Sequence, residues 1–400
     1  NTRLVGSEMC IRDRFWFHPK KNSRKNKKFF MTDLHSIDLK NKYVGLRVDL
    51  NVPLESGEVL SPDRLSAALP TILYILEHTE NLCLISHLGR PKEEDFDPAL
   101  SLKPIKEWFE KRLNKKISLE NEIKKSEGIK MLENIRFFKG ENENSENLGQ
   151  KLADIFDVYI MDAFATAHRK SASTYGAIIK SKIKSPGLLF SNEVRNLKEI
   201  LNEPNRLVSI IGGSKVSTKL EVVENLLQKS EKIIVGGGIA NTFLKAVGHE
   251  IGESIYEENM LKKCLQMVES GKVLLPERVY VASSPSATEV NLVDVEKVPK
   301  EMMILDLEFK SEPVSKYFNF LWNGPLGIFE IDLFSNGTKQ LIDFLSQSNR
   351  KVIAGGGETI FAINKFSEKK NFHYVSTAGG AFLEYLSGKS LPSIEALELE

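Results

Sequence analysis

The segment VIAGGGETIFAI, residues 352–363, contains one complete unit of the fold that we predict for this chain. The apolar run that ends at Ala354 is typical of a buried strand, and Thr359–Phe366 has the pattern of a helix. The glycines between them let the backbone approach a ligand, and the positive end of a helix dipole favours an anion. This unit therefore predicts a phosphate site, although Glu358, itself an anion, directly follows the glycines.

The same unit of strand, loop and helix repeats along the chain and predicts the fold class. Short β-rich runs alternate with helical patterns such as Thr218–Leu227 and Ala240–Ala246. The predicted strands are Tyr43–Leu50, Leu82–Ser86, Ile129–Leu132, Val158–Met161, Leu207–Ile211, Ile233–Val235, Phe318–Trp322, Lys351–Ala354 and Tyr374–Ser376. Alternation of this kind favours an α/β protein in which helices cover parallel sheets.

The length of 400 residues predicts two domains, because a single hydrophobic core seldom extends that far. Between the halves, residues 187–206 carry one apolar helical stripe, with Ser191 as a candidate N-cap and Pro204 as a terminator. We predict an N-terminal domain over 31–190, an interdomain helix over 191–205, a C-terminal domain over 206–385 and a closing segment over 386–400. A single helix between two domains suits a hinge motion.

The composition excludes several classes of function. No apolar run is long enough to span a membrane, and the three scattered cysteines favour a reducing compartment, so we predict a cytoplasmic protein. Residues 1–30 carry a net charge of +7, which leaves the other 370 residues at −6. A mildly acidic body gives no electrostatic support for binding nucleic acid or a membrane surface.

The basic leader, residues 1–30, has three interpretations. It could be translated sequence upstream of a native start at Met31, since organised patterning begins just after that residue. It could also be a transit peptide, which would imply import into an organelle, or a disordered basic tail. In all three cases the leader stands apart from the fold, so we exclude it from the prediction of structure.

Polar and basic side chains follow the predicted strands of the first half. The segments RVDLNVP, SHLGRP, ENIRF and DAFATAHR place Asp49, Asn51, His87, Arg90, Arg136 and Arg169 after strands, and Arg64 lies on the next helix. Arginine binds phosphate and carboxylate groups through two parallel hydrogen bonds. The first half therefore predicts a pocket for a small, multiply charged anion. Arg47 lies inside its strand, and we leave it out of this pocket.

Glycine-rich segments follow the predicted strands of the second half, and together they predict a nucleotide held by backbone amides. The segments GGSKVSTK and GGGIAN match neither the P-loop spacing nor the dinucleotide fingerprint. Lys215 and Lys219 are four residues apart, and we predict that they share one face at the start of a helix. In that position they would clamp the charge that develops on a phosphoryl group in transfer.

An anion-binding domain that faces a nucleotide-binding domain across a hinge predicts phosphoryl transfer between two bound ligands. Closure would bring the ligands into line and exclude water. Two other classes remain as alternatives: a non-catalytic nucleotide-binding scaffold and a nicotinamide-dependent oxidoreductase. The missing fingerprint, and the missing acid about 20 residues after it, argue against the oxidoreductase.

Seven segments resemble the signature segments of the phosphoglycerate kinase family, in the family's order, from about residue 35 to the C-terminus. They are RVDLNVP, SHLGRP, MDAFATAHR, GGSKVSTK, VGGGIANTF, LWNGPLGIFE and STAGGAFLEYL. The resemblance implies two Rossmann-like domains joined by a helix, with a C-terminal segment that packs on the N-terminal domain. It also implies a monomer that reversibly transfers a phosphoryl group from 1,3-bisphosphoglycerate to ADP, giving 3-phosphoglycerate and ATP in glycolysis.

The resemblance also implies roles for individual residues. The site for 3-phosphoglycerate would comprise Asp49, Leu50, Asn51, Arg64, His87, Leu88, Gly89, Arg90, Arg136 and Arg169. The site for ADP or ATP would comprise Gly212, Gly213, Lys215, Lys219, Gly236, Gly237, Gly238, Asn323, Glu330, Gly356, Gly357, Glu358 and Thr359. The catalytic residues would be Arg64, Lys215 and Lys219, with Lys219 following the phosphoryl group as it moves.

Mg²⁺ accounts for the acid at position 358, because a cation placed between a carboxylate and a phosphate removes their repulsion. We therefore predict that Glu358 binds Mg²⁺ together with the nucleotide, directly or through water. The family usually has aspartate here, so the longer side chain should bring either a shifted helix start or a water-mediated contact. A second departure is Ala378, which stands where the family usually has glycine.

Overall fold

The computed structural model describes residues 33–55, 57–202 and 206–399. The predicted leader over 1–30 and the predicted helix terminator Pro204 lie outside the described residues.

The first half of the chain builds a six-stranded parallel sheet and a short hairpin. Its strands are β1 (Val44–Arg47), β2 (Leu54–Glu55), β3 (Glu58–Val59), β4 (Leu82–Ile85), β5 (Ser118–Glu120), β6 (Ile129–Leu132), β7 (Val158–Met161) and β8 (Lys184–Pro186). The sheet has the order β5-β6-β4-β1-β7-β8, and β2 pairs with β3 as the hairpin. The chain adds strands first on one side of β1 and then on the other, so the carboxyl end of β1 lies at a topological switch point.

The second half builds another six-stranded parallel sheet and a three-stranded antiparallel sheet. Its strands are β9 (Leu207–Ile211), β10 (Lys232–Val235), β11 (Val273–Leu274), β12 (Arg278–Ala282), β13 (Asn291–Asp294), β14 (Met303–Leu307), β15 (Asn319–Asn323), β16 (Lys351–Ala354) and β17 (Tyr374–Val375). The parallel sheet has the order β11-β10-β9-β15-β16-β17, and β12 lies between β13 and β14 in the antiparallel sheet. The parallel order is that of a dinucleotide-binding fold, with its switch point between β9 and β15.

Twelve α-helices connect and cover the strands within the described residues. They are α1 (Asp63–Leu76), α2 (Lys103–Leu113), α3 (Glu146–Ile155), α4 (Ala177–Lys180), α5 (Leu188–Leu201), α6 (Leu220–Lys229), α7 (Gly237–Ala246), α8 (Leu261–Glu269), α9 (Asn336–Leu345), α10 (Gly357–Phe366), α11 (Gly380–Leu386) and α12 (Pro392–Ala396). None of the helices in this part of the chain is both long and apolar enough to cross a bilayer.

The prediction of an α/β protein with two domains and parallel sheets is confirmed. Every residue of β1 is buried, as parallel strands covered on both faces require. In register, Val44 of β1 lies between Leu82 of β4 and Val158 of β7. The sequence did not predict the edge strands β5, β8 and β11, or the antiparallel sheet over 278–307.

The interdomain helix α5 begins three residues earlier than predicted, at Leu188 rather than Ser191. Two side chains of the first domain hold its first turn. An Asp162 carboxylate oxygen accepts the N–H of Phe190 at 3.0 Å, and Thr71 Oγ1 accepts the N–H of Leu188 at 3.1 Å. A distant carboxylate thus takes the capping role that we predicted for Ser191, a contact that local sequence does not reveal.

The middle of α5 is hydrogen-bonded to the loop that follows β17. Fully buried Glu193 accepts the hydroxyl of Ser376 at 3.1 Å and the N–H of Thr377 at 3.2 Å. Burial raises the pKa of both Asp162 and Glu193 to about 7. Buried carboxylates therefore bond α5 to both domains. Asp162 of the first domain accepts a hydrogen bond from the helix, and Glu193 of the helix accepts hydrogen bonds from the second domain.

The C-terminal segment contacts the backbone of the first domain. The hydroxyl of Ser393, on α12, donates to the carbonyl of Thr174 at 2.7 Å. The N–H of Ser393 donates to the carbonyl of Ala167 at 3.1 Å. The chain thus crosses back to the first domain after completing the second.

Candidate active site

Three predicted residues of the anion pocket meet just beyond the carboxyl end of β1. One guanidinium nitrogen of Arg64 lies 2.8 Å from a carboxylate oxygen of Asp49 and 3.1 Å from the carbonyl oxygen of Asn51. The side-chain oxygen of Asn51 accepts the N–H of Gly89 at 2.9 Å, which links this group to the loop after β4. Arg64 lies in the first turn of α1 and keeps about a third of its side chain exposed, so its other donors can reach a ligand.

His87 lies beneath this group and is 4% exposed. Its Nδ1 is 3.9 Å from an Asp49 carboxylate oxygen and 3.4 Å from a guanidinium nitrogen of Arg47. Burial, followed by the positive charges of Arg47 and Arg136, lowers the pKa of His87 well below its usual range. The ring is therefore neutral at physiological pH and suits a hydrogen bond to a ligand better than proton donation.

The arginines of the first domain form a cluster of positive charge. Arg136 is buried on the 3-10 helix Ile135–Phe137, and Arg90 and Arg169 are exposed at the rim. Burial, followed by the charges of Arg169, Arg47 and Arg90, lowers the pKa of Arg136 to about 10. Like charges held this close favour a bound anion, because it would relieve their repulsion.

Sequence reasoning missed the residues that support this cluster. Arg47, which we left out, is 2% exposed, and its Nε donates to the hydroxyl of Ser173 at 2.9 Å. That hydroxyl donates to a carboxylate oxygen of Glu141 at 2.6 Å, so a buried acid lies behind the arginines. An arginine inside an apolar strand was the available signal, since such a residue is seldom buried without a partner.

Leu50, Leu88 and Gly89, which we also predicted in the anion pocket, place no side chain in it. The side chains of Leu50 and Leu88 lie in the hydrophobic core of the first domain. Their N–H groups are also occupied, by Ser86 Oγ at 2.9 Å and Asn134 Oδ1 at 3.2 Å. Gly89 has φ +60°, and a Cβ there would lie 2.6 Å from the side chain of Leu100. These positions therefore shape the pocket rather than offer it side chains.

The glycines after β9 and β10 interlock with the loop after β15. A Cβ at Gly212 would lie 1.9 Å from the carbonyl oxygen of Pro325, and one at Gly237 would lie 2.8 Å from that of Gly213. The N–H groups of Gly212, Gly236 and Gly237 already donate to the carbonyls of Asn323, Ile211 and Leu326. These glycines thus allow close contact between backbones, and their amides are mostly used within the protein.

Lys219 turns inward to the carboxyl ends of β9 and β15. Its ammonium donates to the side-chain oxygen of Asn323 at 2.6 Å and to the carbonyl of Gly212 at 2.5 Å. Burial lowers the pKa of Lys219 to about 8, and the negative charge of Glu358 partly opposes this shift. A desolvated cation at this edge is suited to interact with phosphoryl oxygens.

The prediction that Lys215 and Lys219 share one face of a helix is wrong. Helix α6 begins at Leu220, Lys219 is its N-cap residue, and Lys215 lies in the irregular segment before it. Lys215 is exposed, whereas Lys219 is half-buried. The two lysines therefore cannot act as a pair fixed by helical spacing.

The first turn of helix α10 is open at Gly357, where the first-quoted segment predicted a phosphate site. Gly356 has φ +100° just before it, and a Cβ at Gly357 would meet no atom within 4 Å. Glu358 is exposed in the first turn, and buried Thr359 accepts the N–H of Gly324 at 2.7 Å. Because the first N–H groups of a helix lack intrahelical partners, this end of α10 is suited to an anion.

A cavity of about 410 Å³ lies between the glycine loops and the antiparallel sheet. Gly213, Gly238 and Glu358 line its polar side, and Glu330 is also at its wall. Its apolar side comes mainly from β14 and the loop after β15, through Met303, Ile304, Leu305, Leu307, Leu326 and Ile328. Sequence reasoning missed the antiparallel sheet that contributes this wall, although the alternation of apolar residues over Arg278–Ala282, in the strand beside β14, indicates a half-buried strand.

A second cleft, of about 330 Å³, joins the two sets of predicted residues. Asn51 and Arg64 line it from the first domain, and Gly357, Thr377 and Ala378 line it from the second. The methyl group of Ala378 is buried here. The anion pocket and the open end of α10 thus face one shared space.

In the described part of the chain, no group of three or more His, Cys, Asp or Glu side chains could hold a metal ion by itself. Glu358 is nevertheless an exposed carboxylate on the wall of the 410 Å³ cavity, beside a helix N-terminus. Mg²⁺ is typically bound by one or two carboxylates together with nucleotide phosphates, so this donor fits the ion when a nucleotide is present.

Comparison with known proteins identifies the family. The family model "Phosphoglycerate kinase" matches residues 34–389. Curated phosphoglycerate kinases from Francisella philomiragia and Francisella tularensis subsp. novicida are 46% and 44% identical, each alignment covering 92% of this chain and 98% of the relative. The solved structure of phosphoglycerate kinase from Coxiella burnetii has a TM-score of 0.87 at 39% identity, over 91% of this chain and 97% of that one. The chain therefore belongs to the phosphoglycerate kinase family.

Proposed function

We propose that the two walls of the 330 Å³ cleft carry out the reaction of the family, with 3-phosphoglycerate on one wall and nucleotide on the other. The reaction is the reversible transfer of a phosphoryl group from 1,3-bisphosphoglycerate to ADP, so the acceptor in the reverse direction is a carboxyl group. The observation that supports this proposal most directly is the cleft itself, which has Arg64 on one side and Gly357 of α10 on the other.

The arginine cluster would hold the phosphate of 3-phosphoglycerate that is not transferred. Arg136, Arg90 and Arg169 are close enough that their charges act on one another, and arginine suits bidentate contacts with phosphate. Asp49 and Asn51 would bind near the hydroxyl and carboxyl end of the ligand, where Arg64 contacts both residues. Neutral His87 would add a hydrogen bond from below.

The 410 Å³ cavity would hold the nucleoside part of ADP or ATP. Its apolar wall suits the base, and Glu330 suits the ribose hydroxyls. The phosphates would then extend past Gly213 and Gly238 to the first turn of α10, where free N–H groups and Thr359 lie. This path leads from the cavity to the shared cleft.

Catalysis would depend on positioning and on neutralisation of charge rather than on a general base. A carboxylate with an ordinary pKa of about 3.5 is already ionised at neutral pH. The neutral state of His87 agrees with this scheme, since the reaction needs no proton from it. Lys219 would stabilise the phosphoryl group as it moves in line between the ligands, and Lys215 and Arg64 would assist.

Closure about α5 would bring the two ligands together and exclude water. We propose that the domains span residues 31–190 and 206–385 and that residues 386–400 return to the first domain. The hinge would lie at α5 and its flanking residues. Buried hydrogen bonds from Asp162 and Glu193 tie the helix to both domains, which suits a lever that transmits motion.

Glu358 would bind Mg²⁺ together with the nucleotide phosphates, and when bound the ion neutralises charge on those phosphates. We expect Glu358→Ala to raise the Mg²⁺ concentration needed for half-maximal activity by about tenfold, because even a carboxylate that acts through water typically contributes that much to metal binding. Calorimetry of ADP binding over a Mg²⁺ series gives a second readout.

A matched control for that prediction is Glu368→Ala. This exposed acid of the second domain pairs with Lys370 at 2.7 Å and does not line the cavity. An unchanged Mg²⁺ titration for Glu358→Ala would leave that residue only its favourable interaction with the helix dipole.

A monomer in the cytoplasm that binds neither nucleic acid nor a membrane remains the prediction from composition and family. The decisive test of the proposed function is a coupled assay with ADP and 1,3-bisphosphoglycerate, with and without Mg²⁺. We expect ATP and 3-phosphoglycerate to form only when Mg²⁺ is present. Nucleotide binding without turnover would favour the scaffold alternative, and turnover that needs a nicotinamide cofactor would favour the oxidoreductase.

A further inference from the structure

The loop over residues 214–219 carries both lysines of the proposed transfer site, yet it is neither helix nor strand. We call it the lysine loop. Within it, Thr218 Oγ1 donates to the carbonyl of Lys215 at 2.8 Å, and the N–H of Lys219 donates to that of Val216 at 2.9 Å. These local bonds leave the N–H and hydroxyl of Ser217 to be bound from outside the loop.

Glu257 binds both of those groups from another part of the chain. One oxygen of its carboxylate accepts the N–H of Ser217 at 2.8 Å, and the other accepts the Ser217 hydroxyl at 2.5 Å. The backbone N–H of Glu257 donates to Thr242 Oγ1 at 3.2 Å, and Thr242 donates to the carbonyl of Gly238 at 3.0 Å. Glu257 therefore joins the lysine loop to α7, which forms a wall of the 410 Å³ cavity.

We propose that Glu257 is a positioning residue that holds the lysine loop in the geometry needed to bind nucleotide phosphates. This inference rests on the proposed roles of Lys215 and Lys219. Helical spacing does not position Lys215, because that residue lies outside α6. The two hydrogen bonds from Glu257 to Ser217, which lies midway between Lys215 and Lys219, supply the constraint that the helix does not.

The charge of Glu257 makes this role testable, because positioning and electrostatics predict opposite effects. Partial burial opposes ionisation, but hydrogen bonds from Ser217 and the charge of Lys215 lower the pKa of Glu257, so it is an anion at neutral pH. An anion near bound phosphates repels them. If Glu257 acted only through its charge, its neutralisation would tighten nucleotide binding, whereas loss of an anchor would weaken it.

The test compares Glu257→Ala, Glu257→Gln and Ser217→Ala in steady-state kinetics, with the Kd for ADP measured by calorimetry. Removal of both hydrogen bonds to a charged acceptor should raise the KM and Kd for ADP roughly tenfold. Glu257→Gln keeps one good acceptor, and Ser217→Ala keeps the N–H bond, so each should raise them roughly threefold. The KM for 3-phosphoglycerate should stay within about twofold of wild type, since the residues proposed to bind that ligand lie in the other domain.

The matched control is Glu258→Gln, which neutralises the adjacent exposed carboxylate, a group that interacts with Tyr256 instead of the loop. Tighter ADP binding by Glu257→Gln, or a proportional rise in both KM values, would overturn the proposal. If Glu257→Ala had wild-type kinetics while Lys219→Ala was defective, only the proposed role of Glu257 would be refuted. Normal kinetics of Lys219→Ala would instead refute the transfer site on which it rests.

Discussion

Replacement of Lys219 by alanine should lower kcat by about a hundredfold or more and leave the affinity for 3-phosphoglycerate nearly unchanged. The ammonium is held by Asn323 and by the carbonyl of Gly212 at the carboxyl ends of two central strands. Removal of one preorganised group that stabilises transition-state charge typically costs a factor of this size. Single-turnover and steady-state kinetics with saturating substrates would measure the effect on the chemical step.

The pH profile gives that prediction a second readout. Burial lowers the pKa of Lys219 to about 8, so in the free enzyme its positive charge is lost as pH rises through that value. The kcat/KM of the wild type should therefore fall above about pH 8, because this ratio reports ionisations of the free enzyme. The residual activity of Lys219→Ala should lack this decline.

Lys229→Ala, at the opposite end of the same helix, is the control for both readouts. It removes one lysine charge at the far end of α6 and leaves the proposed transfer site unaltered. Near-normal kcat for Lys219→Ala would remove that residue from the mechanism.

The sequence predicted the residues at strand ends well, for a physical reason. Parallel strands bring their carboxyl ends to one edge, so Asp49 after β1 and Gly89 after β4 meet through Asn51 although they are far apart in the chain. The order of apolar runs was sufficient to predict this edge. The predicted strands Ile129–Leu132 and Val158–Met161 agree with the structure residue for residue.

The predictions that failed depended on contacts between distant segments. Helical spacing suggested that Lys215 and Lys219 were paired, but Glu257, forty residues beyond Ser217, holds the intervening loop. Likewise, Asp162 sets the start of α5, and no local signal near Leu188 indicates it. Arg47 could be placed only once Ser173 and Glu141 were seen behind it, because its burial depends on partners remote in sequence.

The glycines show a related limit of sequence reasoning. Their pattern correctly marks where backbones come close, but it cannot say whether a ligand or another strand approaches. At Gly357 the space beyond the Cα is open, whereas at Gly212 it is filled by the loop after β15. The same residue type thus leaves room for a ligand at one position and allows close backbone packing at the other.

Gly212→Ala should therefore lower the free energy of unfolding by about 1–3 kcal/mol and weaken nucleotide binding at the same time. The new methyl carbon would lie 1.9 Å from the carbonyl oxygen of Pro325 and 2.7 Å from the carbonyl carbon of Gly324. Both contacts are with backbone, so no side chain can rotate away, and the loops after β9 and β15 must separate. Urea unfolding and calorimetry of ADP binding would measure the two effects.

The coupling of stability to binding follows from the position of Gly212. Its N–H donates to the carbonyl of Asn323, and its own carbonyl accepts a hydrogen bond from the ammonium of Lys219. Separation of the loops should therefore displace the lysine from the proposed transfer site. Gly357→Ala is the control for stability, because its methyl group would meet no atom within 4 Å and alanine favours a helix more than glycine does. Its free energy of unfolding should match or slightly exceed that of wild type. If Gly212→Ala kept both wild-type stability and wild-type ADP affinity, the loops after β9 and β15 would tolerate a side chain at position 212, and the prediction would be wrong.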